Sequence, residues 1–226
     1  MKNWEELPDQ MRCEETRPYY ESLLKKRGSL ACKRVFDLMM SLILIVLLSP
    51  VMLVIGTAVG VTSSGGVIFR QIRVTTYGKR FQIYKFRTMV AGAPEKGSQV
   101  TVSGDARVTK IGKFLRKVRL DELPQLFNIV RGDMSFVGTR PEVEKYVARY
   151  APEMYATLLM PAGVTSTASI EYKDEEKLLS AGKDVDETYV NQILPAKMEY
   201  NLQYIREFSF ARDLVILVRT VAAVFF

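Results

Sequence analysis

Histidine is absent from this sequence of 226 residues. That absence excludes serine–histidine triads, imidazole general bases and His-rich zinc sites. Any chemistry must come from carboxylates, cations, hydroxyls or a bound metal. Cysteine is scarce as well: Cys13 and Cys32 are the only two thiols, they form no metal motif, and two thiols make no disulfide framework, which fits a reducing cytoplasm. Internal repeats and low-complexity tracts are missing. The N-terminus is polar and the apolar run begins late, with no small-residue cleavage site, so no cleavable leader is expected.

What the chain has instead is positive charge and one long apolar run. Lysine and arginine number 32 against 25 acidic residues, giving a net charge of +7 and a pI near 9.3. Such a balance favours an anionic partner: a lipid surface, a nucleotide phosphate or a nucleic acid. The length suits one membrane-associated domain of ordinary size. From Leu38 to Val61 there is no charged residue, a run long enough for the ~20 residues of a spanning helix. Yet Lys25, Lys26, Arg27, Lys33 and Arg34 precede it, and Arg70, Arg73, Lys79, Arg80, Lys85 and Arg87 follow it. Lys and Arg mark the cytoplasmic side, so both ends claim the same face. Midway lies Ser49-Pro50. Proline lacks the N–H and collides with the preceding turn, while a serine hydroxyl can bond a carbonyl that proline frees. Two readings follow from these residues: a re-entrant helix-break-helix that returns to its own leaflet, or an ordinary kinked span.

The remainder reads as α+β, mainly helical. Residues 1–30 form a polar arm with a hint of a short helix, 31–64 the membrane segment, and 65–226 the domain that carries the chemistry. "GVIFRQIRV" and "KRFQIYKF" around "TTYG" predict a small β-hairpin, and "AGAPEKGSQVTVSGD" a loop. "VTKIGKFLRKV" sets Ile111, Leu115 and Val118 on one helical face amid Lys110, Lys113, Arg116 and Lys117, an amphipathic surface helix suited either to an anionic leaflet or to water. Residues 171–187 look like an exposed charged loop or helix. "LVILVRTVAAVFF", interrupted by Arg219, is too short to span and predicts a surface-lying or core helix.

Chemistry concentrates in "RLDELPQLFNIVRGDMSFVGTRPE". Pro124 suits the first turn of a helix ending at Gly132, which sets Asp121 and Glu122 at its N-terminus. Acidic caps are routine there. The cations nearby change the reading: Arg116 and Arg119 precede the pair, Arg140 follows, and Lys85 and Arg87 occur in "YKFRTM". Carboxylates amid cations, with a divalent metal, are what phosphoryl chemistry needs.

The stretches "KRVFDLMMSLILIVLLSPVMLV", "FRQIRV", "FQIYKFRTM" and "DARVTKIGKFLRKVRLDELPQLFNIVRGDMSFVGTRPE" resemble the bacterial sugar transferase family, the monotopic phosphoglycosyl transferases. The resemblance is strong from about Lys33 to Pro141 and weaker to the C-terminus. It implies an enzyme at the cytoplasmic face of the bacterial plasma membrane that moves a sugar phosphate from a UDP-sugar to polyprenyl (undecaprenyl) phosphate, releasing UMP. It also implies a helix broken at Ser49 and Pro50, which favours the hairpin. By the same resemblance Asp121 is the nucleophile that forms an aspartyl phosphosugar and lies beside a Mg²⁺, and Glu122 would assist the acceptor or the metal. Lys85, Arg87, Arg116 and Arg140 are the expected phosphate binders. Expected partners are the UDP-sugar, the polyprenyl phosphate, an anionic bilayer, and either a second copy of the chain or other glycan-assembly enzymes. Nucleic acid is not among them, for want of any binding motif. A catalytically inactive membrane scaffold is the alternative. Two departures from the family stand out: its "GPRP" reads "GTRP" here, and "PAGVTSTASIEYKDE" replaces a segment that usually supplies an arginine, for none lies between Arg149 and Arg206.

Overall fold

The computed structural model describes residues 1–62, 65–93, 100–102, 104–173, 175, 179 and 184–225. Much of the expected loop at 91–105, and of the charged segment at 171–187, lies outside them.

The N-terminal polar stretch holds the short helix that its apolar positions hint at. After two short 3₁₀ turns, α1 (Arg17–Leu24) begins with Pro18 in its first turn, where the missing N–H is harmless. Leu7, Met11, Tyr19, Tyr20 and Leu23 are all buried in the largest apolar cluster of the molecule, with Leu158, Met198, Ile205 and Phe208. The sparse apolar positions of this polar stretch therefore serve as core contacts.

α2 (Arg27–Thr62) is 36 residues long and contains Pro50. Its charged end is locked into the body. Lys33 Nζ donates to Val137 O (2.7 Å) and to Asp213 (2.5 Å), and Arg34 donates to the carbonyls of Ile129 (2.6 Å) and Val130 (2.9 Å). Asp37 accepts from the Phe136 N–H (3.2 Å). Farther along, Leu44, Ile45 and Leu48 lie on Phe81, Ile83, Leu126 and Ile129, and Met52, Ile55 and Val59 lie on Phe86 and Leu115. Both ends of the apolar run thus rest on one body. The other face exposes Met39, Val46, Leu47, Leu53, Val54 and Val61. By length and composition this helix is apolar enough to cross a membrane, and only 11% of its most apolar stretch is buried against the body.

The expected break at Ser49-Pro50 is absent as an interruption, since α2 is continuous there. The reason is local. Pro50 leaves the carbonyl four residues back, that of Val46, without its N–H, and the Ser49 hydroxyl donates to that oxygen at 2.8 Å.

β1 (Ile68–Val74) and β2 (Arg80–Phe86) form the expected hairpin, with Ile68 opposite Phe86 and Val74 opposite Arg80. Tyr77 and Gly78, both at positive φ, turn the chain between them. Alternation along β2 buries Phe81 and Ile83 and leaves Lys85 on the same face, nearer the strand end. α3 (Lys110–Lys117) is capped by Thr109, whose hydroxyl accepts from Gly112 N. A Cβ at Gly112 would lie 2.1 Å from Thr88 O, so only glycine lets α3 approach this closely. Ile111 and Leu115 pack inward while Lys113, Phe114 and Lys117 face out, as the amphipathic pattern requires.

α4 (Gln125–Arg131) ends at Gly132, whose φ of 83° closes the helix. β3 (Met134–Val137) pairs in parallel with β4 (Ala162–Thr165), separated from it by α5 (Glu144–Val147) and a 3₁₀ stretch at Pro152–Leu159. Gly138 and Gly163 meet where β3 ends: a Cβ on Gly163 would lie 2.2 Å from Gly138 N. α6 (Thr167–Glu171) follows; α7 (Val185–Thr188) passes through a π-helical turn into α8 (Leu194–Arg206). α9 (Phe210–Phe225) lies on the surface, burying Asp213 and Ile216 while exposing Leu214, Val215, Val218 and Val221.

Candidate active site

Arg119, between α3 and α4, has a left-handed backbone (φ 57°). That turn redirects the chain into a short 3₁₀ segment, Leu120–Glu122, ahead of the Pro124 cap of α4. The acidic pair thus precedes the helix on its own turn rather than occupying the helix N-terminus, and both carboxylates point inward, with Asp121 6% and Glu122 7% exposed.

The two acids have opposite environments. Glu122 Oε1 accepts from Lys85 Nζ at 2.9 Å and from Arg140 at 2.7 Å, with Arg119 at 3.8 Å. Burial alone would raise its pKa, but Arg140 and Lys85 outweigh burial and hold the carboxyl well below the usual carboxylate range. Asp121 is pushed the other way. Burial dominates, the Glu122 charge adds to it, and Lys85, Arg116 and Arg140 only partly offset the rise. Its Oδ1 is buried without a hydrogen-bond partner. Burial also lowers the Lys85 pKa against the pull of Glu122, whereas Arg140 is raised by Glu122 and stays protonated.

Asp121, Glu122, Lys85 and Arg140 are therefore gathered as expected. Arg116 stands a step back: it donates to Thr88 (2.9 Å) and Thr101 (3.1 Å), and its field reaches Asp121. Arg87 is not drawn to the acids. Its Nε donates to Gly66 O at 2.8 Å, tying the end of the hairpin to the chain that follows α2.

Other residues build the site that no sequence pattern announces. Asn128 is fully buried and clamps β2 from α4, accepting from Tyr84 N (3.0 Å) and donating to Gln82 O (2.7 Å), which fixes the strand that carries Lys85. Behind Arg140, Arg73 donates to Pro141 O (3.1 Å), Tyr189 donates to Glu142 (2.5 Å), and Lys197 donates to Tyr189 (3.2 Å) and Glu175 (2.9 Å). These anchors set where the Arg140 side chain begins. Thr139, at the "GTRP" departure, has a buried hydroxyl without a partner.

Among the described residues no group of three or more acidic, histidine or cysteine side chains is placed to hold a metal. A hard cation that takes one carboxylate and completes its shell with substrate phosphates and water needs no such cage. The unpartnered Oδ1 of buried Asp121 fits that demand; Glu122, committed to two cations, does not.

The site thus joins a buried carboxylate to a cation-bound carboxylate, with the long apolar helix α2 packed nearby. The profile of the bacterial sugar transferase family matches residues 28–226, and the chain belongs to that family. It is 36% identical over 196 residues to a UDP-N-acetylgalactosamine-undecaprenyl-phosphate N-acetylgalactosaminephosphotransferase of Aeromonas hydrophila, covering 85% of this chain and 43% of that protein. It is 40% identical over 194 residues to a UDP-glucose:undecaprenyl-phosphate glucose-1-phosphate transferase of Klebsiella pneumoniae, covering 84% and 39%. A protein of Caulobacter vibrioides with that same description is 36% identical over 194 residues, covering 84% and 68%. The chain spans about two fifths of the length of the first two. Residues before 28, whose apolar side chains complete the core, lie outside the family match.

Proposed function

We propose that this protein is a phosphoglycosyl transferase that moves a sugar 1-phosphate from a UDP-sugar to polyprenyl phosphate and releases UMP. The observation that carries the reading is the acidic pair: Glu122 neutralised by Lys85 and Arg140, and Asp121 buried beside it with an oxygen unengaged. The named activities of the relatives support it.

In the proposed reaction an Asp121 oxygen forms a bond to the sugar-bearing phosphorus, and the bond from that phosphorus to the bridging oxygen of UMP breaks, UMP leaving with the electron pair. An oxygen of the polyprenyl phosphate then attacks the same phosphorus, Asp121 leaves as carboxylate, and the lipid diphosphate sugar is formed. No proton need be removed from a carboxylate nucleophile, so the lack of histidine is no obstacle. Arg140 and Lys85 offset charge on the transferring group. Mg²⁺, held at Asp121, would neutralise phosphate oxygens as the UMP bond breaks.

α2 enters and leaves one leaflet, bending at Pro50, with both its ends and the site at the cytoplasmic face. The packing of both ends on one body favours this topology. An open apolar groove lined by Ser49, Met52, Gly56, Gly60, Phe86 and Phe127 receives the isoprenoid chain. Phe86 follows Lys85 in β2, and Phe127 lies on the helix that follows Glu122. The test is a screen of UDP-sugars with polyprenyl phosphate, reading UMP. Release that requires Mg²⁺ and is abolished by EDTA is expected; no UMP from any UDP-sugar would refute the proposal. A Cys-free background with single cysteines at Ser29 and Gly65 should label only from the cytoplasmic side.

A further inference from the structure

Gln125 carries two buried polar atoms with nothing to bind. It is 1% exposed, and neither Oε1 nor Nε2 has a hydrogen-bond partner. A buried carboxamide normally satisfies both ends, and an apolar side chain of similar shape at this position would avoid the desolvation penalty altogether. A residue kept for packing alone would not be glutamine.

Its neighbours say what it faces. Asp121 is four residues earlier and Glu122 three, on the 3₁₀ turn that leads into α4, and the intervening Leu123 and Pro124 keep helical backbone angles. Before Gln125, Glu122 meets Lys85 of β2; after it, Asn128 binds Gln82 and Tyr84 of β2. In the chain Gln125 lies between these two points of attachment to β2. Among the described residues five buried side-chain atoms lack a partner, and three of them, Asp121 Oδ1 and the two of Gln125, fall within five residues of chain. Unpaired polar atoms within five residues of chain, one of them on Asp121 in the field of Lys85 and Arg140, are groups held ready for a ligand.

We propose that Gln125 is a substrate-contacting residue, its Nε2 donating a hydrogen bond to a phosphoryl oxygen of the group transferred at Asp121. The assignment rests on the function proposed above. A neutral donor adds directional grip where two cations already supply charge, and it contributes most when charge on that oxygen rises in the transition state.

Two substitutions of the full chain test it. Gln125→Met keeps length and removes both polar atoms; Gln125→Glu keeps shape and removes the donor. For Gln125→Met, a melting temperature at or above that of the wild type is expected, with kcat for UMP release lower by about 100-fold and KM changed far less. Gln125→Glu should lose at least as much, because its carboxylate repels the phosphoryl oxygens. Melting well below the wild type by Gln125→Met would mark a structural amide and overturn the assignment, as would kcat within twofold of the wild type. A wild type that releases no UMP from any UDP-sugar overturns the proposed function and this role together. A wild type that turns over alongside an equally active Gln125→Met overturns only the role.

Discussion

Glu122 and Glu142 are built from the same parts and end in different states. Each is about 7% exposed, and each is ringed by arginine and lysine: Lys85, Arg140 and Arg119 at one, Arg73 and Lys197 at the other. Around Glu142 the network is closed by Tyr189, and the loop it holds leads straight back to Arg140. Around Glu122 the neighbours Asp121 and Gln125 are left with unpaired atoms. A satisfied network over-determines a backbone position; an unsatisfied one beside it stores interactions for something that arrives. The two clusters are joined by Pro141, so one serves as foundation and the other as working site.

The largest expected break in this contrast is Asp121→Asn. It should reduce UMP release by about 10⁴-fold or more, as loss of a nucleophile does, without loss of folding. Its stability should move upward at neutral pH. The folded-state pKa of Asp121 is raised above its unfolded value, so its charge opposes folding at pH 7, and this penalty vanishes as pH falls through the folded value toward about 3.9. The melting-temperature gain of Asp121→Asn over wild type should therefore shrink on acidification. A gain that grows in acid would show that Asp121 is stabilised as a carboxylate.

Glu122→Gln should do the reverse. It leaves Lys85 and Arg140 without their counter-charge, at about 3 kcal/mol, the low end for a broken buried pair because Arg140 keeps 30% of its side-chain exposure. The wild-type pKa is depressed, so this contribution is present above the unfolded value of about 4.3 and is lost as pH falls through the folded value. Denaturant midpoints of the two proteins should converge only in acid. Convergence near neutrality would contradict the depressed pKa.

Tyr189→Phe probes the foundation instead. It removes one hydrogen bond to Glu142 and one from Lys197, about 1–2 kcal/mol together. Since Arg73 still holds Pro141, kcat/KM should fall less than 10-fold. A loss as deep as that of Asp121→Asn would mean that the Glu142 cluster takes part in the chemistry.

How much of this was legible beforehand follows from the range of the forces involved. The hairpin, α3, a C-terminal helix too short to span and the stop at Gly132 come from alternation, helical spacing and backbone sterics acting within a few residues, and all are legible in the sequence, which leaves open only whether that last helix lies on the surface or in the core. Lys85, Arg140 and the acidic pair are expected together from the charge pattern and the family resemblance, which do not separate them from Arg87 and Arg116. Asn128, Tyr189 and Lys197 are not expected, because each acts on backbone or side chains 8 to 47 residues away, and a single polar residue in a helix carries no mark of its distant partner. In the N-terminal stretch the short helix is legible but its packing is not: its apolar residues are few, and burying them depends on α8 and the 3₁₀ stretch at Pro152–Leu159. Charge pattern does not fix reach either: the Arg87 side chain goes to Gly66.

The smallest test returns to a satisfied group, the Val46 carbonyl. Ser49→Ala removes the hydroxyl that meets it, and since Ser49 is exposed the loss should be below about 1 kcal/mol, or roughly 2–3 °C in melting temperature for a chain of this size. Pro50→Ala restores the backbone N–H that would bond the same oxygen. If the serine serves only to replace that donor, Ser49→Ala should have no measurable effect in the Pro50→Ala background, and the double-mutant cycle should show a coupling as large as the single effect. Additive behaviour would mean that Ser49 acts elsewhere along α2. The measurement belongs in bilayers as well as detergent, because a carbonyl unpaired in lipid has no water to turn to, and the coupling should be larger there.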